Sequence, residues 1–342
     1  MTHPETDNPL GEELLEFIQR RLDESTLTFQ TTLPPQRAQY AGWPEWVLPQ
    51  LREKLVEGGV GKLYSHQAEL AQAAWAGEDA VISTGTSSGK SLGYQLPILS
   101  RLAQESTACA LYLTPTKALG SDQLQAVLEL CRGIPALKGV VPSPYDGDTP
   151  QESRAGVRDH SRFIFSNPDM VHMSLLAAHA RWARLLRHLE FIVIDECHSY
   201  RGVFGANVAL VLRRLLRLCA HYGSRPTVIY ASATMKDPGR HAQRLTGRPA
   251  RAIMEDTAPT GARTVALWEP GFIEGAEGEH GAPVRRAATT EAAEMMASFI
   301  AEGARTMTFV RSRRSAEVVA MRAAEVLSGS PVSYTHLTLP TK

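Results

Sequence analysis

Five short segments of this chain, DAVIST, ACALYLTP, RFIFSNP, FIVIDE and TVIYASAT, are apolar on successive residues for four to six positions each. A strand with one wet face alternates apolar with polar residues, whereas a strand covered on both faces has no such need. Amphipathic helical stretches such as KALGSDQLQAVLELCRG separate the runs. This alternation predicts an α/β fold, a parallel sheet flanked by helices.

At 342 residues the chain is long for one compact domain. The texture suggests an amino-terminal helix and irregular arm over 1–45 and a nucleotide-binding lobe over 46–255. A Gly/Pro/Glu-rich linker or long hairpin follows over 256–288, and then the start of a second lobe over 289–330. The helix is expected to follow Asn8-Pro9, with Leu14, Phe17, Ile18 and Leu22 at helical spacing. In the second lobe, TTEAAEMMASFIAEG, TMTFVR and the residues after it read as helix, strand, helix. The segment 331–342 fits poorly with the Ala/Arg-rich helix before it and reads as a foreign tail, and the second lobe as truncated.

Lys+Arg and Asp+Glu balance at 36 each, so nucleic-acid binding has to come from local patches. Four scattered cysteines with no C-x-x-C pair argue against a zinc site or a disulfide framework. No run is long and apolar enough for a membrane span, and the amino terminus lacks a signal-peptide pattern. The expectation is a cytoplasmic protein without membrane contact.

The first apolar run leads into Thr84-Gly85-Thr86-Ser87-Ser88-Gly89-Lys90-Ser91. A loop of small residues lets backbone N–H groups approach phosphate oxygens, and the following helix presents its positive end to the same anion. Lys90 then reaches the β- and γ-phosphates and Ser91 offers its hydroxyl to Mg²⁺. Thr84 stands where the G-x-x-x-x-G-K-[ST] pattern has its first glycine.

The fourth run ends in Asp195-Glu196-Cys197-His198. Ligands in parallel sheets sit at the carboxyl ends of strands. Asp195 is the candidate Mg²⁺ ligand, and Glu196 the candidate base for the attacking water. The competing reading is a solvated Asp-Glu loop.

With these motifs in order, the chain over about 32–320 resembles the superfamily 2 DEAD/DEAH-box helicases, most of all their bacterial YprA-like DNA helicase branch, which has similar LYSHQ, YDGDTP and SATM stretches. The resemblance implies a RecA-like P-loop NTPase lobe, ATP and Mg²⁺ as cofactors, and a strand of DNA tracked from 3′ to 5′, single-stranded or as a 3′-tailed duplex. It implies that Gln67 meets the adenine edge, with Tyr64 nearby. Thr114, Pro115, Thr116 and Lys117, and Asn167, Pro168 and Asp169, would grip the strand. Ser232 and Thr234 would bond the acidic pair and couple it to lobe movement, His198 joining them. Arg311, with Arg313 and Arg314, falls in a stretch similar to the family's fourth motif.

The family's Q-x-x-G-R-x-G-R segment does not occur after Arg314. The alternative to a motor is therefore a non-catalytic ATP- and nucleic-acid-binding fragment. A P-loop kinase is a third reading, against which LTPTKAL, SNPDM and ASATM speak.

Overall fold

The computed structural model describes residues 10–21 and 27–328. It divides into two compact units, Arg37–Pro259 and a second one formed by the residues up to Gln36 with those from Thr260 onward. The chain enters the second unit through α1 (Leu10–Arg21) and β1 (Leu27–Leu33).

The unit Arg37–Pro259 carries the site. A short antiparallel pair, β2 (Tyr40–Ala41) and β3 (Leu63–Tyr64), brackets α2 (Pro49–Glu57) and leads into α3 (Ser65–Trp75). Strand and helix then alternate through β4 (Ala80–Ser83), α4 (Lys90–Gln104), β5 (Cys109–Leu113), α5 (Lys117–Cys131), β6 (Ser143–Pro144) and α6 (Ser153–His160). The second half follows as β7 (Phe163–Ser166), α7 (Pro168–Met170), α8 (Ala183–His188), β8 (Leu189–Ile194), α9 (Gly202–Tyr222), β9 (Thr227–Ser232), α10 (Pro238–Thr246) and β10 (Arg251–Ile253).

Seven strands form one sheet in the order β10-β4-β9-β8-β5-β7-β6. Every neighbouring pair is parallel. The five apolar runs are β4, β5, β7, β8 and β9, and their side chains alternate between two cores as a period of two requires. Ile82, Tyr112 and Val193 pack on one face with α2, α3 and α4 residues such as Leu51, Leu70 and Leu99. Val81, Leu111, Ile192 and Ile194 pack on the other with Leu185, Leu212 and Leu245. Truncating a fully buried leucine such as Leu111 to alanine costs about 2–5 kcal/mol.

The strand order sets the site. β4, β9 and β8 are adjacent, with Ser83 level with Ser232 and Ile194 level with Tyr230. Neighbouring strands lie about 4.8 Å apart, so the chain leaving β4 and the chain leaving β8 emerge about 10 Å apart on one edge. β5 and β7, also adjacent, end level at Leu113 and Ser166.

In the other unit β1 pairs antiparallel with β11 (Arg263–Trp268), and β12 (Phe272–Glu277) pairs with β13 (Pro283–Arg285). Helices α11 (Ala288–Ala301) and α12 (Arg313–Ser328) pack through Ala293, Ala297, Val319, Ala323 and Leu327. Three sequence expectations are corrected here. Residues 27–33 are a strand, not irregular arm, because residues 263–268 of the expected linker complete their backbone hydrogen bonds. In α1, Leu15 and Ile18 are buried, while Leu14 and Phe17 of the expected apolar face are only half-buried. TMTFVR is not a strand: no described residue pairs with it, and Met307 and Phe309 are 77% and 86% exposed. Asn8, Pro9, Leu22 and the 331–342 tail lie outside the described residues.

Candidate nucleotide and nucleic-acid site

Residues Thr84–Gly89 join β4 to α4, and side-chain hydroxyls close the loop on itself. Thr84 Oγ1 lies 2.7 Å from Ser88 Oγ, which in turn donates to the Gly85 carbonyl at 3.0 Å. Thr84 thus replaces the expected glycine with a buried hydroxyl that pins the turn. Gly89 caps α4 in the left-handed region at φ 74°, and a Cβ there would stand 2.5 Å from Gln67 Nε2. Only glycine meets both demands. Ser87 also has positive φ, at 63°.

Lys90 Nζ donates to the carbonyls of Thr84 at 3.2 Å and Gly85 at 2.6 Å. Burial pushes its amine below the ordinary value, against the upward pull of the Glu196, Asp195 and Asp256 carboxylates. The lysine of one strand end and the acidic pair of another therefore share one electrostatic environment. Asp195 continues the sheet ladder through its N–H to the Leu113 carbonyl at 2.8 Å, and its Oδ1 accepts from Glu196 N–H at 2.8 Å. Glu196 is left-handed at φ 48°, a conformation costing a non-glycine residue about 1–3 kcal/mol and typical of functional turns.

His198 Nδ1 lies 3.2 Å from Glu196 Oε2 and 3.3 Å from the Ala233 amide. One nitrogen cannot donate to the carboxylate and accept from the amide at once, so these are alternative partners. The expected bonds from Ser232 and Thr234 to the acidic pair are not made. Ser232 Oγ donates to the Ala233 carbonyl at 2.7 Å, and Thr234 is exposed. Ser232 is fully buried at the last position of β9, so its hydroxyl turns to the nearest carbonyl.

Gln67 is buried, and its amide holds two backbone groups. Oε1 accepts from Tyr64 N–H at 2.9 Å and Nε2 donates to the Gly89 carbonyl at 2.8 Å. Each amide atom keeps one further hydrogen-bonding position. Sequence reasoning missed the adjacent His66, 1% exposed. Its Nε2 faces the Ser88 carbonyl at 2.9 Å, and its Nδ1 faces Thr257 N–H at 3.1 Å and Thr257 Oγ1 at 2.7 Å. An acceptor-only carbonyl on one side and a donor-only amide on the other fix the neutral tautomer protonated on Nε2. Burial accordingly lowers the His66 pKa.

Four of the strand-gripping candidates gather at a second place on the same edge, which Pro115, Pro168 and Asp169 do not line. Thr114, Thr116 and Lys117 from the β5 end and Ser166 and Asn167 from the β7 end line one shallow cleft. The Thr114 hydroxyl is buried without a partner. Lys117 pairs with Asp148 at 2.6 Å, an exposed contact, and Asn167 caps α7 by accepting from Met170 N–H at 2.9 Å. Pro168 is buried and Asp169 exposed. Arg311 is exposed and lies in the other unit.

Residues 64–241 match the family model described as DEAD/DEAH box helicase. The chain belongs to the DEAD/DEAH box helicase family. It is 38% identical over 289 residues to the uncharacterized ATP-dependent helicase YprA of Bacillus subtilis (strain 168), which covers 84% of this chain. It is 39% identical over 291 residues to the ATP-dependent helicase HRQ1 of Saccharomyces cerevisiae, again over 84% of this chain. The chain spans only 37% and 26% of these two relatives' lengths. Among solved structures, the DUF1998 helicase MrfA bound to DNA and AMPPNP superposes with a TM-score of 0.85 at 35% identity, over 94% of this chain and 43% of that one. The sheet and its flanking helices are thus a RecA-like helicase lobe. No helix among the described residues is long and apolar enough to cross a membrane.

The donor set also fits magnesium. Mg²⁺ prefers one or two protein oxygens with phosphates and water over an all-protein cage. Ser91 and Asp195 are the candidates for such oxygens.

Proposed function

We propose that this chain binds Mg-ATP on the loop Thr84–Ser91 and belongs to a motor that spends its hydrolysis on moving along DNA from 3′ to 5′. The observation that carries this reading is the common environment of Lys90, Asp195 and Glu196 at the ends of β4 and β8. DNA as the strand is supported by the likeness to MrfA, whose structures contain DNA and, in one case, AMPPNP.

In this reading Lys90 leaves the Thr84 and Gly85 carbonyls for the β- and γ-phosphate oxygens, where its charge is better compensated. Ser91 and Asp195 would hold the magnesium, whose charge would offset that of the phosphates. Glu196 accepts the proton of the attacking water, the His198 ring beside it taking either the carboxylate or the Ala233 amide as partner. The cleft of Thr114, Thr116, Lys117 and Asn167 holds the sugar–phosphate backbone with hydroxyls and a cation. Gln67 selects adenine while holding the loop.

Lys90→Ala tests the reading. The variant is expected to lose a fluorescent Mg-ATP analogue by about fiftyfold or more in affinity while melting as the parent does. Unchanged affinity refutes the assignment.

A further inference from the structure

Tyr94 and Tyr112 stand below the acidic pair, 1% and 0% exposed, and both hydroxyls face Asp195 Oδ2. Tyr112 donates to it at 2.5 Å, a short and strong contact to a charged acceptor. The Tyr94 hydroxyl meets the Ser91 and Tyr112 hydroxyls and has two further partners that can only accept. It reaches Gln123 Oε1 on α5 at 3.0 Å and Asp195 Oδ2 at 3.4 Å. A phenol carries one proton, so it serves one acceptor at a time. At these distances the proton belongs to Gln123, and the contact to Asp195 is stretched beyond the ordinary O–H···O range.

α5 begins at Lys117, in the cleft assigned to the nucleic-acid backbone. Gln123 lies on its second turn and also accepts from Gln95 Nε2 at 3.2 Å, so it keeps a donor when Tyr94 turns away. Asp195, at the far end of the relay, is the candidate magnesium ligand. Only one hydroxyl separates the helix that would feel the strand from the carboxylate that would hold the metal.

Resting on the proposed function, we propose that Tyr94 is a positioning residue that couples the two ligands: a shift of α5 on nucleic-acid binding withdraws Gln123 and hands the Tyr94 hydroxyl to Asp195. With two hydroxyl donors on Oδ2, the carboxylate is fixed in the geometry that suits Mg-ATP. The linkage is reciprocal, so bound Mg-ATP favours the same α5 position. Burial and the Asp195 carboxylate push the Tyr94 hydroxyl well above its ordinary pKa, which keeps it a donor throughout.

The test measures affinity for a fluorescent Mg-ATP analogue with and without a saturating single-stranded oligodeoxynucleotide, using the whole chain. For the parent we expect DNA to tighten the analogue by a factor of about 5–150, the ordinary range for coupled sites. Tyr94→Phe keeps the ring and removes the hydroxyl. It should bind each ligand alone within about twofold of the parent, while the coupling factor falls to near one. Gln123→Met, which removes the other acceptor, should lose the same coupling, and the double variant should lose no more than either single one.

Parental coupling in Tyr94→Phe overturns the inference. So does a loss of coupling accompanied by a tenfold or larger loss of either single affinity, the mark of a merely structural role. Should Tyr94→Phe fail to fold, Gln123→Met decides by the same criteria. A parent chain that binds both ligands without linkage overturns this inference alone, whereas a parent that binds neither overturns the proposed function beneath it.

Discussion

Asp256 Oδ2 accepts a hydrogen bond from the Gly85 amide at 2.9 Å, so a carboxylate that follows the edge strand β10 sits against the loop proposed to hold phosphate. The same carboxylate acts on Lys90 and lies 4.0 Å from the buried His66 ring. The loop amide is thus held by a negative charge belonging to the chain itself, which on the proposed reading repels an incoming triphosphate.

Asp256→Asn keeps an acceptor for the Gly85 amide and removes the charge. It should tighten Mg-ATP analogue binding about fivefold, or about 1 kcal/mol. The gain should shrink as salt is raised, because the repulsion is screened. Titration of the analogue at two ionic strengths checks this, and weaker binding by the variant would contradict it.

Glu196 combines the proposed base with a left-handed backbone at φ 48°. Glu196→Gln preserves shape and backbone, so analogue affinity and melting temperature should stay near the parent values. Turnover should drop about 10²–10⁴-fold where the parent turns over. Single-turnover kinetics at parental speed would remove Glu196 from the role.

His66 gives the structure a sensitivity to acid. Its pKa is lowered in the fold, chiefly by burial, so the unfolded chain binds the proton more readily. Stability therefore rises with pH across the window below the unfolded value of about 6.5, and is lost as pH falls through it. Protonation would also put a donor on Nδ1, against the Thr257 amide. Between about pH 7.5 and about pH 5.5 the parent should lose more melting temperature than His66→Gln does. Equal losses would show that His66 does not titrate with unfolding.

The sequence by itself determined the doubly covered strands, the loop ending in Gly89-Lys90-Ser91 and the Asp195-Glu196 strand end. Each is written locally: burial on both faces removes alternation from a strand, a left-handed cap demands glycine, and an acidic pair shows itself where an apolar run stops. Tertiary structure alone decided partners. Residues 27–33 find residues 263–268 across more than two hundred positions, and no local pattern names the other strand of an antiparallel pair. Tyr94, Tyr112 and His66 read as ordinary core or motif residues until the packing of α4 on β5 and of α3 on the loop aims their polar atoms at Asp195 and Ser88. Ser232 goes the other way, its hydroxyl kept from the carboxylates by a nearer carbonyl. Periodicity encodes which side of an element is buried, while the acceptor that a buried hydroxyl meets depends on which elements dock beside it.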